Sequence, residues 1–168
     1  MVGQTSLDYG LEALKAGQFS DAVAYLERAC SEFPNDYRGF NYLGVAYAQQ
    51  KLYDRAVGAF QTALSIRPNV PNIHYNLGLA YQADGLADLA REQFRTALDL
   101  DPNYAKAQEA LDRLSEEDEL LKSLAAQSCA RHPHEPAAGV CSFCHLPVCK
   151  ECRVVVADQV FCTTCAGR

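Results

Sequence analysis

YRGFNYLGVAYAQQKLYDRAVGAFQTALSIRPNV, residues 37–70, is followed at once by a second version of itself, PNIHYNLGLAYQADGLADLAREQFRTALDLDPNY, residues 71–104. The two stretches have the same residue at many positions, including Leu43/Leu77, Gly44/Gly78, Ala46/Ala80, Tyr47/Tyr81, Ala56/Ala90, Phe60/Phe94, Ala63/Ala97, Leu64/Leu98 and Pro68/Pro102. Residues 3–36 fit the same frame more loosely. The offset of 34 residues therefore predicts three repeats, 3–36, 37–70 and 71–104.

Each repeat has the pattern of a helical hairpin. Apolar residues recur at helical spacing in both halves of a repeat, and Pro34, Pro68 and Pro102 follow the second helix and end it. Several polar residues suit the N-cap of that second helix, namely Asp54, Asp88 and either Ser20 or Asp21. Glycine inside a helix costs about 1 kcal/mol relative to alanine. We therefore expect Gly44 and Gly78 to face Ala56 and Ala90 at a close helix contact, with the phenylalanine beyond.

The period and these residues resemble tetratricopeptide repeats, a 34-residue helix-turn-helix family. The resemblance implies a mainly α fold, a three-repeat solenoid of helical hairpins. The first repeat departs from the pattern at Ser6 and Ala13, which suits a terminal repeat facing solvent. Residues 105–126 lack the small glycine and a second hairpin helix, so they resemble the capping helix of such arrays. The first predicted domain is therefore 3–126.

The resemblance also implies a concave groove on the inner face of each first helix. Asparagines there could bind a peptide backbone, and tyrosines could contact apolar side chains of an extended segment or a short helix. Asn76 could equally be a scaffold residue. The implied groove residues are Arg38, Asn41, Tyr42, Val45 and Gln49 in the second repeat and Asn72, Tyr75, Asn76, Leu79 and Gln82 in the third. They lack the set of lysines and arginines that some family members use to hold a C-terminal carboxylate.

Seven of the eight cysteines lie in the last forty residues. With His132 they form four pairs, each separated by two residues: CARH, CSFC, CKEC and CTTC. A two-residue gap lets one turn present both side chains to a tetrahedral metal ion, so four pairs predict two structural zinc ions with no open coordination position. Cys30 aligns with Leu64 and Leu98 and is expected to be a small core residue.

The cysteine spacing resembles a B-box-type zinc finger over residues 129–168, although Cys162 and Cys165 stand where many B-boxes have histidines. The resemblance implies a cross-brace, with sequential pairing as the alternative, and VVVADQVF predicts a hairpin that turns near Asp158. The cross-brace assigns Cys129, His132, Cys149 and Cys152 to one zinc and Cys141, Cys144, Cys162 and Cys165 to the other. About forty residues bury too little surface to fold alone, so the metal would supply the folding free energy.

Charge and composition narrow the function. Residues 1–126 have 11 Lys+Arg against 18 Asp+Glu, a net charge of −7, which argues against general nucleic-acid binding. No stretch has the apolar length of a membrane span, and clustered cysteines without a leader pattern suggest a cytoplasmic protein. The sequence lacks a Gly-rich phosphate loop and the GxSxG and HExxH motifs, so we expect no enzyme.

These observations predict a non-catalytic adaptor. The groove would bind a partner protein, and the zinc module would add a second interaction surface or join two copies of the chain in a homodimer. Two alternatives stay open. A ubiquitin-ligase-like component is one, because cross-brace fingers can recruit conjugating enzymes, but the long central spacing of a RING is missing. A zinc-ribbon-type nucleic-acid binder is the other, and residues 127–168 offer it just four basic side chains.

Overall fold

Helices make up most of the described structure. The computed structural model of the 168-residue chain describes residues 5–125, 139–140, 147–148, 151–156 and 159–162. The helices are α1 (Ser6–Lys15), α2 (Phe19–Glu32), α3 (Tyr37–Gln49), α4 (Tyr53–Ile66), α5 (Pro71–Ala83), α6 (Ala87–Leu100) and α7 (Ala105–Ala125). The first six pack as three hairpins, each against the next, which confirms the predicted helix-hairpin solenoid. None of the described helices is both long and apolar enough to cross a membrane.

The chain divides into two compact units, residues 1–112 and 113–168. The described part of the second unit contains four short strands, β1 (Gly139–Val140), β2 (Pro147–Val148), β3 (Arg153–Val156) and β4 (Gln159–Cys162). They form two antiparallel hairpins, β1–β2 and β3–β4, and β1 also lies close to β4. The β3–β4 hairpin confirms the strand prediction. The predicted domain boundary falls within residues 126–138, outside the described residues, and stays a prediction.

The core of the first unit follows the repeat. Leu26, Phe60 and Phe94 occupy equivalent positions and are almost fully buried, as are the alanines at positions 22, 56 and 90. The core of each hairpin therefore combines a small alanine with one large apolar side chain. Cys30 is also buried, which confirms its prediction as a core residue. Burial, with Asp36 and Glu27 nearby, raises the pKa of its thiol to about 11.

The glycines inside the first helices make a different contact from the one expected. A β-carbon on Gly44 would lie 2.6 Å from Cε1 of Phe60, and one on Gly78 would lie 2.5 Å from the same atom of Phe94. The predicted partners were Ala56 and Ala90. The close approach is confirmed, and the nearest atoms belong to the aromatic ring, which was expected to lie beyond the contact.

The hairpin turns have one backbone conformation in all three repeats. Gly17, Lys51 and Gly85 have φ of +73°, +61° and +81°, and the residue after each donates its N–H to the carbonyl five residues earlier. This bond makes Gln18, Leu52 and Leu86 the N-cap residues. The predicted N-caps were therefore wrong. These residues lie within the first turn instead: Asp54, Asp88, Ser20 and Asp21. The three aspartates interact favourably there with the positive end of the helix dipole.

Polar contacts stabilise the first repeat. Thr5 and Asp8 form a capping box at the start of α1, and accepting the bonds from Thr5 lowers the pKa of Asp8. Ser6 and Ala13, where the first repeat departs from the tetratricopeptide pattern, are both buried. Arg28 explains the first of these, since its Nε donates to Oγ of Ser6 across 2.8 Å.

Hydrogen bonds link consecutive repeats at one equivalent position. Tyr47 donates its hydroxyl to Oε1 of Glu27 across 2.5 Å, and Gln61 donates to the hydroxyl of Tyr81 across 3.4 Å. Arg55 adds further contacts to the bond between Tyr47 and Glu27. Its guanidinium lies 4.2 Å from the Tyr47 ring centroid and donates to both Tyr47 and Glu27. Burial, followed by the bond to Glu27, raises the pKa of Tyr47 to about 12.

The seventh helix has the apolar face expected of a capping helix. Ala107 and Ala110 are fully buried and Leu114 nearly so. Leu120, farther along α7, is 61% exposed.

Candidate functional site

A concave groove of about 620 Å³ lies on the side of the array formed by the first helix of each hairpin. Helix α1 packs beside α3, and α3 beside α5, so their inner faces form one continuous wall. We use "concave groove" for the surface lined by Leu11, Leu14, Lys15, Phe19, Asn41, Tyr42, Val45, Gln49, Asn72 and Asn76.

Three asparagines form a ladder across the concave groove. The side-chain amide of Asn76 donates to Oδ1 of Asn41 and to Oδ1 of Asn72, each across 3.1 Å. Asn72 in turn donates from Nδ2 to the hydroxyl of Tyr104 across 3.1 Å. The ladder joins α3 to α5 and to the residue before α7. Asn41 is buried, so its bond to Asn76 offsets the cost of removing a polar group from water.

The ladder leaves two polar atoms available. Nδ2 of Asn41 and Oδ1 of Asn76 have no hydrogen-bond partner among the described residues. One is a donor and the other is an acceptor. A peptide group has the complementary acceptor and donor, so the two asparagines together can hold a backbone.

The other half of the concave groove is apolar. Leu11 and Leu14 from α1 and Phe19 from α2 are half-buried there, beside Tyr42 and Val45 of α3. Partly exposed apolar side chains around a concave surface can gain about 25 cal/mol for each Å² that a ligand covers. This half is therefore suited to an apolar side chain.

Six of the ten predicted groove residues line the concave groove: Asn41, Tyr42, Val45, Gln49, Asn72 and Asn76. Leu79 lies in an adjoining recess of about 250 Å³, which Val45, Gln49 and Asn76 also line. The structure thus brings seven of the predicted residues to one continuous surface. Their role in binding stays a prediction.

The other three lie elsewhere. Arg38 makes a two-atom ion pair with Asp36, its N-cap residue, beside a separate concavity at the α2–α3 loop. Tyr75 packs against Phe94 and Tyr104, with ring centroids 5.7 and 5.5 Å away. Gln82 is half-buried in the last turn of α5, outside the concave groove and its recess.

Sequence reasoning missed the contribution of the first repeat. Leu11 and Lys15 are the 34-residue equivalents of Val45 and Gln49, so the same register would have found them. Phe19 could not be found in this way, because it is the first residue of α2 and the predicted groove residues all lie on the first helix of a hairpin. Lys15 is the single charged residue that lines the concave groove.

Comparison with known families agrees with this architecture. Two tetratricopeptide repeat models match the sequence, one over residues 7–71 and the other over residues 71–104. Residues 7–104 are tetratricopeptide repeats. The tetratricopeptide fold is generally a non-catalytic scaffold for protein interaction. No curated protein matches the chain.

Solved tetratricopeptide domains have the same fold as this array. The Arabidopsis OM64 TPR domain superposes with a TM-score of 0.64 at 22% identity, covering 66% of this chain and 92% of that one. The first TPR of Spaghetti (RPAP3), bound to the HSP90 peptide SRMEEVD, gives 0.65 at 18%, covering 68% and 90%. The second TPR domain of human RPAP3, in complex with the HSP70 peptide SGPTIEEVD, gives 0.64 at 20%, covering 66% and 92%.

The predicted zinc ligands lie beyond the tetratricopeptide array and mostly outside the described residues. Just two of the eight, Cys152 and Cys162, are described. Cys152 is buried and precedes β3, and Cys162 ends β4 opposite Arg153. The other six, Cys129, His132, Cys141, Cys144, Cys149 and Cys165, fall outside the described residues.

Proposed function

We propose that the chain is a non-catalytic adaptor whose tetratricopeptide groove binds an extended peptide segment of a partner protein. One observation carries the proposal: Asn41 and Asn76 present a fixed donor and a fixed acceptor in the floor of the concave groove. Related folds that hold the peptides SRMEEVD and SGPTIEEVD support a peptide as the ligand.

An extended segment matches these two atoms better than a helix does. Each peptide group of an extended chain exposes an N–H and a carbonyl, whereas those of a helix interior are already bonded to one another. The acceptor of Asn76 would take the N–H, and the donor of Asn41 would meet the carbonyl. The apolar half of the concave groove would then hold a side chain from the same segment.

Two buried titratable groups of the array are unsuited to catalysis. Burial raises the pKa of Cys30 to about 11, so its thiol is protonated near neutral pH. Burial and Glu27 likewise raise the pKa of Tyr47 to about 12. Catalytic nucleophiles and bases need the opposite, a pKa close to the working pH in an accessible site. Neither residue lines the concave groove.

The cysteine-rich segment, residues 129–168, forms the second part of the proposal. Two structural zinc ions would be held in a cross-brace, which the position of β1 beside β4 supports, because Cys141 follows β1 in the sequence and Cys162 ends β4. Thiolate ligands must stay reduced, which fits a cytoplasmic location. This segment would serve as a second interaction surface or as a dimer contact.

The groove hypothesis is tested by capturing partners with matched baits. The intact chain is compared with Asn41→Ala/Asn76→Ala, which removes the donor and the acceptor, and with Asn69→Ala, which alters an exposed loop asparagine outside the groove. A partner bound by the intact chain and by Asn69→Ala, but lost from the double variant, supports the proposal. Circular dichroism and urea unfolding check that the double variant is folded.

A chain truncated after Gln127 separates the two surfaces. If every partner survives the double asparagine change and disappears with the truncation, the groove proposal is wrong and the cysteine-rich segment carries the function. Retention of a groove-dependent partner by the truncated chain would show that the array binds on its own.

A further inference from the structure

The residues that line the concave groove are almost all uncharged. Nine of its ten lining residues are uncharged, and the tenth is Lys15, which makes no ion pair with any described residue. Residues 1–112, the unit that contains the groove, have a net charge of −5, from 9 Lys+Arg and 14 Asp+Glu. A ligand therefore meets a surface with one positive charge, within a unit that is acidic as a whole.

Several carboxylates would be poorly tolerated there. Lys15 can pair with one, and each additional carboxylate would lose water without gaining a positively charged partner. The negative body would also repel an acidic segment as it approaches. Clustered basic residues would gain from that field, but no lining residue of the groove is a carboxylate that could pair with them.

The apolar half of the concave groove supplies the favourable contribution to the free energy of binding. Leu11, Leu14 and Phe19 lie at one end of the groove, while the free amide atoms of Asn41 and Asn76 lie farther along it. A ligand that uses both must have a large apolar side chain next to an accessible stretch of backbone. A bulky residue beside uncharged neighbours meets that requirement in an extended chain, whose side chains alternate between faces.

We propose that the groove selects an uncharged, extended segment anchored by one large apolar side chain against Leu11, Leu14 and Phe19, with at most one acidic residue, placed at Lys15. This inference rests on the proposed peptide-binding function and specifies the chemistry of the peptide. It also separates this array from the two similar structures whose bound peptides, SRMEEVD and SGPTIEEVD, are rich in acidic residues.

A displayed library tests the selection directly. Random peptides of about twelve residues, roughly 40 Å when extended, are selected against the full chain. Enriched sequences should have a leucine, isoleucine, phenylalanine or methionine at a fixed position and no more than one Asp or Glu. Placing two Glu residues beside the anchor of a synthetic enriched peptide should weaken its affinity by about tenfold or more, whereas two Gln residues should change it little.

Variants of the chain place the peptide in the groove. Leu14→Asp should weaken the synthetic peptide by about tenfold or more, because a carboxylate would replace the apolar contact, and Leu11→Ser should act in the same direction. Asn69→Ala should leave the affinity unchanged. Urea unfolding of each variant confirms that it is folded, and Leu11→Ser replaces Leu14→Asp as the test if the latter unfolds.

The outcomes separate this inference from the proposed function. Enriched peptides with two or more acidic residues, whose binding still depends on Asn41 and Asn76, would overturn the inference and leave peptide binding intact. Peptides whose affinity is the same for the intact chain, the double asparagine variant and the leucine variants would overturn both. Apolar-anchored peptides that depend on both groups of residues would confirm the selection.

Discussion

Gly44 lies directly against the ring of Phe60, so close that a β-carbon at this position would stand 2.6 Å from Cε1 of the ring. The third repeat has the same arrangement in Gly78 and Phe94, and the first repeat has it in Gly10 and Leu26. The glycine therefore provides space for a large side chain of the facing helix, and the two positions cannot change independently.

Gly44→Ala should destabilise the array although alanine favours a helix. The added methyl group must displace a buried ring, which costs about 1–3 kcal/mol, against a gain of about 1 kcal/mol in helix propensity. Gly58→Ala is the matched control, since Gly58 is also inside a helix and a β-carbon added there would meet nothing within 4 Å. Urea unfolding should show a loss for Gly44→Ala and a gain for Gly58→Ala, and a gain for both would refute the contact.

Lys51→Gly should stabilise the chain. Lys51 has φ of +61°, which costs an L-residue with a β-carbon about 1–2 kcal/mol. Part of the gain is lost to the greater freedom of glycine in the unfolded chain, so we expect a net increase of about 1 kcal/mol in the free energy of unfolding. The reverse change, Gly85→Lys, should lower it by a similar amount. Thermal unfolding of both variants measures this, and equal melting temperatures would contradict the strained turn.

Stability should fall at alkaline pH because of Cys30 and Tyr47. Burial raises the pKa of Cys30 from 9.0 to about 11 and that of Tyr47 from 10.0 to about 12, so the folded chain holds both protons more tightly than the unfolded chain does. Their contribution is complete below the unfolded values and is lost as the pH rises through the folded ones. Cys30→Ala should therefore flatten the fall between pH 9 and 11, and Tyr47→Phe the fall between pH 10 and 12. Urea unfolding at a series of pH values checks this, and variant slopes equal to those of the intact chain would contradict it.

Two zinc ions should copurify with each chain, and a chelator should unfold residues 129–168 while leaving the helical signal of the array largely unchanged. Elemental analysis and circular dichroism measure the two effects. A chain that contains no zinc after preparation in zinc-supplemented medium would contradict the metal prediction.

Paired cysteine changes determine which ligands share an ion. In a cross-brace, Cys141→Ser/Cys162→Ser damages one site and Cys149→Ser/Cys162→Ser damages both, whereas sequential pairing reverses the two results. Zinc content of the two variants, measured side by side, distinguishes the arrangements.

Much of the fold could be predicted from the 34-residue offset, because the same residue at equivalent positions packs in the same way in each hairpin. The three hairpins were found in this way. The N-caps were not. At Asp54 and Asp88 the residue type suggested a cap, but the backbone bonds of the turn, such as Leu52 N–H to the Tyr47 carbonyl, fix the N-cap two residues earlier.

The site was predicted less completely than the fold. Asn41, Asn72 and Asn76 were predicted from the resemblance to tetratricopeptide repeats, and all three line the concave groove. Arg38 and Tyr75 have the same register, but each has a stronger local partner, Asp36 for the guanidinium and the rings of Phe94 and Tyr104 for the phenol. The repeat pattern predicts where a residue lies on its helix, but contacts with neighbouring residues determine whether its side chain lines the groove.

The asparagine ladder has a consequence for the energetics of recognition. Because Asn76 is held from both sides and Asn72 is tied to Tyr104, the amide groups of the groove are already oriented when the chain folds. A partner would not have to immobilise them, and the rotational entropy of these side chains would be lost during folding and not during binding. The array would then act as a preformed template, with the conformational cost of association falling mainly on the incoming segment.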